Sequence, residues 1–394
     1  MISVETALVR VLEGLEPLPA EMVALSQAGG RVLARDAAAL VSHPPLAVSA
    51  MDGYAVRADD VAAPPASLAI VGESQAGHPP TARVETGQAV RIFTGAPVPE
   101  GADAVVRQED THRDGSTVTV TVPVPAGKFI RPAGLDFAAG AVLLRAGTIL
   151  GPRQIALAAA MNLPWLAVRR RPQVAVLSTG DEVRLPGEPL APAQIPGANG
   201  PALAALIEAE GGCARQLGIA ADSRESLATL IAAASGADLL VTSGGVSVGD
   251  YDLVGDVLAE AGMSQDFWKV AMKPGKPLMF GRLGKVPVLG LPGNPVSALT
   301  SALLFLVPML RALAGRPTAC PGATALLGVD LPANGDRRDH VRATLEGGVA
   351  TPVGLPDSAM LSALAAADCL IIRPEHAPAA EAGDRVPILP LAGL

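Results

Sequence analysis

Three loops and one turn concentrate the polar chemistry of this chain: STGDE (178–182), TSGGVSVGDYD (242–252), LPGNP (291–295) and KPGKP (273–277). In the longest loop, Gly244 and Gly245 let the backbone approach a ligand and offer N–H donors to an anion, while Ser243 and Ser247 add hydroxyls. Phosphate-cradling loops usually bring a lysine, and this one has none. It carries Asp250 and Asp252 instead, and STGDE carries Asp181 and Glu182. Carboxylates do not grip phosphate directly. They can hold a hydrated divalent ion that does, or accept from ligand N–H and O–H groups. Asp250 and Asp252 also precede a helix-like stretch, where a carboxylate suits the helix dipole, so capping competes with binding there. The missing cations stand in KPGKP, where Lys273 and Lys276 flank a Pro-Gly turn in otherwise apolar surroundings and suit an oxyanion. In LPGNP, Gly293, Asn294 and Pro295 lead into a helix, with Asn294 as N-cap and Pro295 as first helical residue. That arrangement also makes an anion site.

Such loops need a frame that brings them to one place. Between 172 and 315, strand-like runs (QVAVLSTG, ARQLGIAAD, DLLVTSGG, VPVLGLPG) alternate with helix-like ones, which predicts βαβ units in a doubly wound parallel sheet. Ligands of such sheets sit beyond the carboxyl ends of the strands, where all three loops fall. Ahead of this region, SVETALVRVLE (3–13) predicts a helix capped by Ser3, and PRQIALAAAM another helix begun by Pro152. Short β-rich pieces between 46 and 140 predict a separate β-rich unit, in which Asp52 and Thr94 sit on glycine-punctuated turns. After a linker-like run, GRPTACPG (315–322), short strands predict a small C-terminal β-barrel or sandwich. The expected domains are therefore 1–45 with 141–171 (helical), 46–140 (β-rich), 172–318 (α/β) and 319–394 (β-barrel).

Bulk properties narrow the classes. With 394 residues, 49% apolar and 17% charged, the chain has ample core for several packed domains. A net charge of −8 argues against nucleic acid as partner, while leaving room for a locally basic site for small anions. Cys213, Cys320 and Cys369 show no paired spacing and five histidines are dispersed, so no zinc or disulfide framework is expected, and a reducing cytoplasm fits. Two apolar stretches, 155–168 and 297–310, are interrupted by Asn, Ser, Thr and Pro, and no membrane span is expected.

The motifs SAMDGYAVR, RIFTGAPVPEGADAVV, LSTGDE, TSGGVSVGDYD, KPGKP and GLPGNPVSA resemble, in this order, those of the MoeA family of molybdopterin molybdenumtransferases, which is similar to the E domain of gephyrin. The resemblance covers nearly the whole chain. It implies a homodimer of four-domain subunits: a discontinuous helical part, a β-rich insert, an α/β domain similar to MogA and a C-terminal β-barrel. Its cleft lies between the α/β domain of one subunit and the β-rich domains of the other. The implied reaction takes adenylylated molybdopterin and molybdate to molybdenum cofactor and AMP, assisted by a divalent ion, usually Mg2+. The molybdopterin adenylyltransferase protein is an implied partner.

Carried over by position, Asp52 and Thr94 resemble the β-rich domain's catalytic contribution, and Glu182 and Asp252 the catalytic and metal-organising acids. Asp222 of GIAADS resembles a further functional acid, Lys273 and Lys276 the anion-binding pair, and Pro292 and Pro295 a rigid ligand loop. Asp136 of IRPAGLDF aligns with a family acid, and either Ser358 or Ser362 of DSAMLSA with a serine facing the cleft. Two positions depart from the family pattern: Ala47 where Asp is common, and Gly197 where an acid is frequent, with Asn199 kept beside it. Two other functions are compatible with parts of the pattern. One is an adenylyltransferase on the same α/β scaffold, although such relatives are usually single domains. The other is a non-enzymatic cofactor carrier or scaffold.

Overall fold

A computed structural model describes residues 1–245, 253–319, 322–355 and 357–391. Ser247, Asp250, Asp252 and Cys320 thus lie outside the described residues. The chain forms two compact units, one of Met1–Glu21, Gly30–Val32 and Arg169–Leu394, the other of Met22–Gly29 and Leu33–Val168.

The first unit is built on a six-stranded sheet. Across it run Cys213–Ala220, Gln173–Thr179, Leu239–Ser243, Val286–Leu291, Met279–Leu283 and Met263–Phe267. The first four are mutually parallel, as the βαβ alternation predicts. The last two are antiparallel, so the sheet is mixed rather than wholly parallel. That difference matters for function. An antiparallel strand begins at the edge where its parallel neighbours end, and Met279 pairs with Gly290, one residue from the end of its own neighbour. KPGKP, just before Met279, is thereby delivered to the same edge as the three loops. The chain leaves Gln173–Thr179 toward Cys213–Ala220 on one side and returns to Leu239–Ser243 on the other, which opens a crevice at the strand ends.

Alternation along Gln173–Thr179 separates two cores. Val174 and Val176 join one with Leu203, Ile207, Phe305 and Leu306. Ala175 and Leu177 join another with Leu227, Ile231, Val254 and Leu258. Both faces are therefore covered, and Leu239–Ser243 is buried at every residue. The first helix, Val4–Leu12, starts where expected: the Thr6 N–H donates to Ser3 Oγ at 3.1 Å. It buries Val4, Ala7 and Val11 in the first of these cores.

Pro295–Ala314 is a continuous 20-residue helix of mean hydropathy 1.8, long and apolar enough by composition to cross a membrane. The protein itself covers 78% of that window, as a core helix requires. Pro308 does not break it. A π-helical turn at Ala302–Leu306, in which the Val307 N–H reaches the Ala302 carbonyl, directly precedes the proline, which has no N–H to donate.

The C-terminal strands Ala323–Leu327, Arg338–Glu346, Val349–Pro352, Cys369–Arg373 and Arg385–Pro390 close into a barrel. Its core holds Leu327, Ala343, Ile371 and Ile388. Met272–Lys273 adds to it in parallel, pairing with Arg338 and Asp339.

In the second unit a six-stranded sheet runs Ala104–Arg107, Gly53–Val56, Gln88–Ile92, Ala66–Ser74, Thr117–Val120 and Thr111–Asp114. The helix Pro152–Ala160 begins with proline at its first turn and buries Ala158.

Candidate active site

A cavity of about 870 Å³ opens at the carboxyl ends of the strands in the first unit. Its walls include Glu182, Asp222, Ser243, Gly244, Gly245, Lys273, Lys276, Pro292, Gly293, Asn294, Pro295 and Ser358, so twelve of the residues singled out from the sequence meet there. Strand order also orders the charges. Asp222 and Glu182 follow the first two strands, the glycine loop the third and LPGNP the fourth, while the lysine turn precedes the fifth. At roughly 4.8 Å per strand, four steps place Asp222 about 19 Å from the lysine turn along one edge, and three steps place Glu182 about 14 Å from it.

Close packing of backbone explains the glycines at two points. Gly244 has φ 93°, and a Cβ there would lie 2.7 Å from Thr179 Oγ1 and 2.9 Å from the Thr179 carbonyl. Gly275, at φ 108° between the lysines, would bring a Cβ to 2.6 Å from Ser301 Oγ. At Gly197 a Cβ would come within 2.8 Å of Val183 Cγ1, so the acid frequent in the family does not fit this backbone without moving Val183.

Asn199 ties three loops together. Its Nδ2 donates to Ser243 Oγ and to the Gly293 carbonyl, both at 2.7 Å. The Ser243 hydroxyl in turn donates to the Pro292 carbonyl at 3.3 Å. Gly293 can only accept at that atom, which fixes the amide's orientation and leaves Asn199 Oδ1 buried without a partner among the described residues.

At the acidic end, Asp181 and Asp222 bond reciprocally: the Asp222 N–H donates to Asp181 Oδ1 at 3.0 Å, and the Asp181 N–H to Asp222 Oδ2 at 3.3 Å. Partial desolvation pushes the Asp222 carboxyl above its usual range. The Asp181 N–H opposes the shift, and the Asp181 and Glu182 charges add to it. Asp181 itself is absent from the cavity walls among the described residues, and serves the loop instead.

At the basic end, Lys273 Nζ donates to Asp339 Oδ2 at 3.3 Å. Arg337 and Ser297 also line the cavity there, and the sequence reading passed over both. Arg337 belongs to the charged run GDRRDH at the start of a barrel strand, a signal that only its meeting with the lysines makes legible. Asn294 is the N-cap by position, but its side chain makes no capping bond. It donates instead to Ser358 Oγ at 2.8 Å, and the Val296 N–H donates to the Ser358 carbonyl at 3.1 Å. One of the helix N–H groups expected to meet an anion is therefore already occupied. Of the two candidate serines, Ser358 lines the cavity, and the exposed Ser362 on Leu361–Ala365 does not.

Asp52 and Thr94 lie in the second unit and meet each other. The Thr94 N–H donates to Asp52 Oδ1 at 2.7 Å and the Thr94 hydroxyl at 2.8 Å. These two bonds, with help from the Arg91 charge, hold the Asp52 carboxyl below its usual range. Asp136 is exposed in the same unit, its N–H donating to the His43 carbonyl at 3.0 Å.

The geometry has counterparts among known proteins. Family models match the MoeA N-terminal region (domains I and II) over residues 2–162, a probable molybdopterin-binding domain over 175–312, and the MoeA C-terminal region (domain IV) over 324–391. Molybdopterin molybdenumtransferase 2 of Mycobacterium tuberculosis is 39% identical over 93% of this chain and 94% of its own length. The molybdopterin molybdenumtransferase of Haemophilus influenzae is 36% identical over 99% and 98%. A crystal structure of the molybdopterin biosynthesis MoeA protein from Pyrococcus horikoshii superposes with a TM-score of 0.87 at 34% identity, covering both chains completely. A cavity assembled from the family's own motifs, on a fold matched from end to end, leaves one conclusion: this chain belongs to the MoeA family of molybdopterin molybdenumtransferases.

Proposed function

We propose that this chain inserts molybdenum into molybdopterin, converting adenylylated molybdopterin and molybdate to molybdenum cofactor and AMP. The observation that carries this reading is the charge order of one continuous cavity, acids at one end and three cations at the other, with closely approached backbone between. Molybdate, a tetrahedral dianion, suits Lys273, Lys276 and Arg337 together with the Ser297 and Ser358 hydroxyls. The glycines at 245 and 293 leave room for the pterin and phosphate to approach the backbone, whereas the Gly244 N–H is already given to the Leu291 carbonyl at 3.1 Å. Asp222 accepts from the pterin's N–H groups. Cleavage breaks the anhydride bond between the bridging oxygen and the AMP phosphorus. A water oxygen takes that place on phosphorus, and the pterin phosphate keeps the bridging oxygen. Asp52, held ionised by Thr94, is the proposed proton acceptor, supplied across the proposed homodimer by the other copy's β-rich domain.

Mg2+ is part of the proposal. Among the described residues no three potential ligands converge. Magnesium, however, is commonly bound by one or two carboxylates with substrate phosphates and water, and Glu182 on the cavity wall is the proposed carboxylate. Asp252, the other expected ligand, lies outside the described residues. When bound, the ion would neutralise charge on the phosphoanhydride. We also propose a cytoplasmic homodimer that receives its substrate from the molybdopterin adenylyltransferase protein.

The test supplies adenylylated molybdopterin and molybdate. AMP release coupled to active cofactor, reduced about a hundredfold or more by Glu182→Gln, is the expected result. Formation of an AMP adduct from ATP without insertion would make the chain an adenylyltransferase. Insertion that survives both Asp52→Ala and Glu182→Ala, with cofactor still bound, would make it a carrier.

A further inference from the structure

We propose that Arg342 is a positioning residue for the basic end of the cavity, acting through Ser358; the inference rests on the molybdenum-insertion reading. Arg342 stands on the barrel strand Arg338–Glu346 and is 6% exposed. One terminal nitrogen of its guanidinium donates to the carbonyls of Asp357, at 3.1 Å, and Met360, at 3.0 Å. The other donates to the Leu355 carbonyl. These three carbonyls bracket Ser358.

From Ser358 the connection continues into the α/β sheet edge. Its carbonyl takes the Val296 N–H and its hydroxyl takes Asn294 Nδ2. Asn294 lines the cavity beside Gly293, whose carbonyl is held by Asn199. A buried arginine therefore fixes the segment that carries a cavity serine, and that serine fixes the start of the helix on the cavity floor. The helix start and the serine segment are 64 residues apart in sequence and have no other bond to each other among those described.

The chemistry favours placement over stability. Burying a guanidinium is expensive, and apolar residues of similar size commonly serve a core as well or better. A rigid fork that reaches several carbonyls at once holds a segment in one position, which an ammonium, a single point donor, does not reproduce.

The experiment uses the full chain, with molybdate alone as calorimetric probe and the insertion assay beside it. Arg342→Lys, Ser358→Ala and the double variant are compared with wild type, together with their thermal midpoints. In Arg342→Lys, molybdate Kd and KM should rise about tenfold while kcat stays within about threefold. Added to Ser358→Ala, the same change should cost less than about twofold more, because both act through one group. Should Arg342→Lys not fold, Arg342→Gln, which keeps a donor and buries no charge, carries the same comparison. Equal molybdate binding by wild type and a folded Arg342 variant, or full multiplication of the two effects, would overturn the assignment of Arg342 alone. Wild-type protein that binds no molybdate would overturn the insertion reading and this inference with it.

Discussion

The Lys273 ammonium stands 3.3 Å from the Asp339 carboxylate, and the two residues are register partners on adjacent parallel strands. The α/β turn that carries the lysines is thereby docked on the barrel at backbone and side-chain level together. Lys273 is 45% exposed, so the pair contributes little to stability, on the order of 1 kcal/mol or less. Its consequence is electrostatic, because it sets a negative charge beside the proposed oxyanion site. Asp339→Asn keeps an acceptor for Lys273 and removes that charge. Molybdate affinity measured by calorimetry should therefore improve about threefold to tenfold at low salt, with the gain shrinking as salt is raised. Unchanged or weaker binding would mean that the carboxylate's charge is not felt at the site.

Thr94→Val removes one of the two donors that keep Asp52 ionised and leaves the backbone N–H in place. Removing a hydrogen bond to the charged form destabilises that form, so the Asp52 pKa should rise. A side-chain carboxyl titration by NMR would show it, and the acidic limb of the pH–rate profile should move upward with it. A titration curve that does not move would show that the hydroxyl bond is not felt in solution.

Glu210 is buried where the helix Asn199–Ala209 ends, and it binds Arg311 through two bonds of 2.9 and 2.7 Å as well as Arg316. Glu210→Ala removes the buried carboxylate that Arg311 and Arg316 share. The expected loss is about 3–5 kcal/mol of unfolding free energy, read from denaturant melts. A loss below about 1 kcal/mol would place this ion pair with ordinary surface pairs.

His340 is 3% exposed in the barrel, and among the described residues neither ring nitrogen has a partner at full hydrogen-bond geometry. Burial pushes its imidazole down to about 4; the Lys273 backbone nearby opposes the shift and the Arg338 charge adds to it. The unfolded chain, titrating near 6.5, binds this proton before the folded one does. Stability from this residue is therefore complete above about pH 6.5 and falls as pH drops toward 4, by about 3 kcal/mol over that window. His340→Leu should flatten that part of the stability–pH curve. A curve of the same slope in the variant would assign the effect to other groups.

Elements whose signal is periodic along the chain form where the sequence predicts them. Helical periodicity and Ser3 predict Val4–Leu12, and strand–helix alternation predicts the parallel part of the sheet. Loop chemistry picked out STGDE, LPGNP and KPGKP as walls of one site, because glycines, hydroxyls and charges act where the local backbone turns. The family resemblance supplied the remaining assignments, Asp52 and Thr94 among them.

Local sequence sets the helices Val4–Leu12 and Pro152–Ala160, the parallel strands and the loops that carry chemistry, but the part expected to be helical also holds the strands Ala20–Ala24, Ala37–Ala38, Val142–Leu144 and Trp165–Arg169. Which residues share a wall follows from tertiary pairing. It brought the lysine turn to the strand ends through an antiparallel pairing, chose Ser358 over Ser362, diverted the Asn294 side chain from capping its own helix, and added Arg337 to the cations. It also buried His340 and spent Arg342 on backbone carbonyls. These outcomes depend on partners such as Asn294 and Ser358, 64 residues apart, or Lys273 and Asp339, 66 apart. Periodicity and turn propensity report on neighbours in sequence, whereas the pairing of distant strands decides which side chains meet.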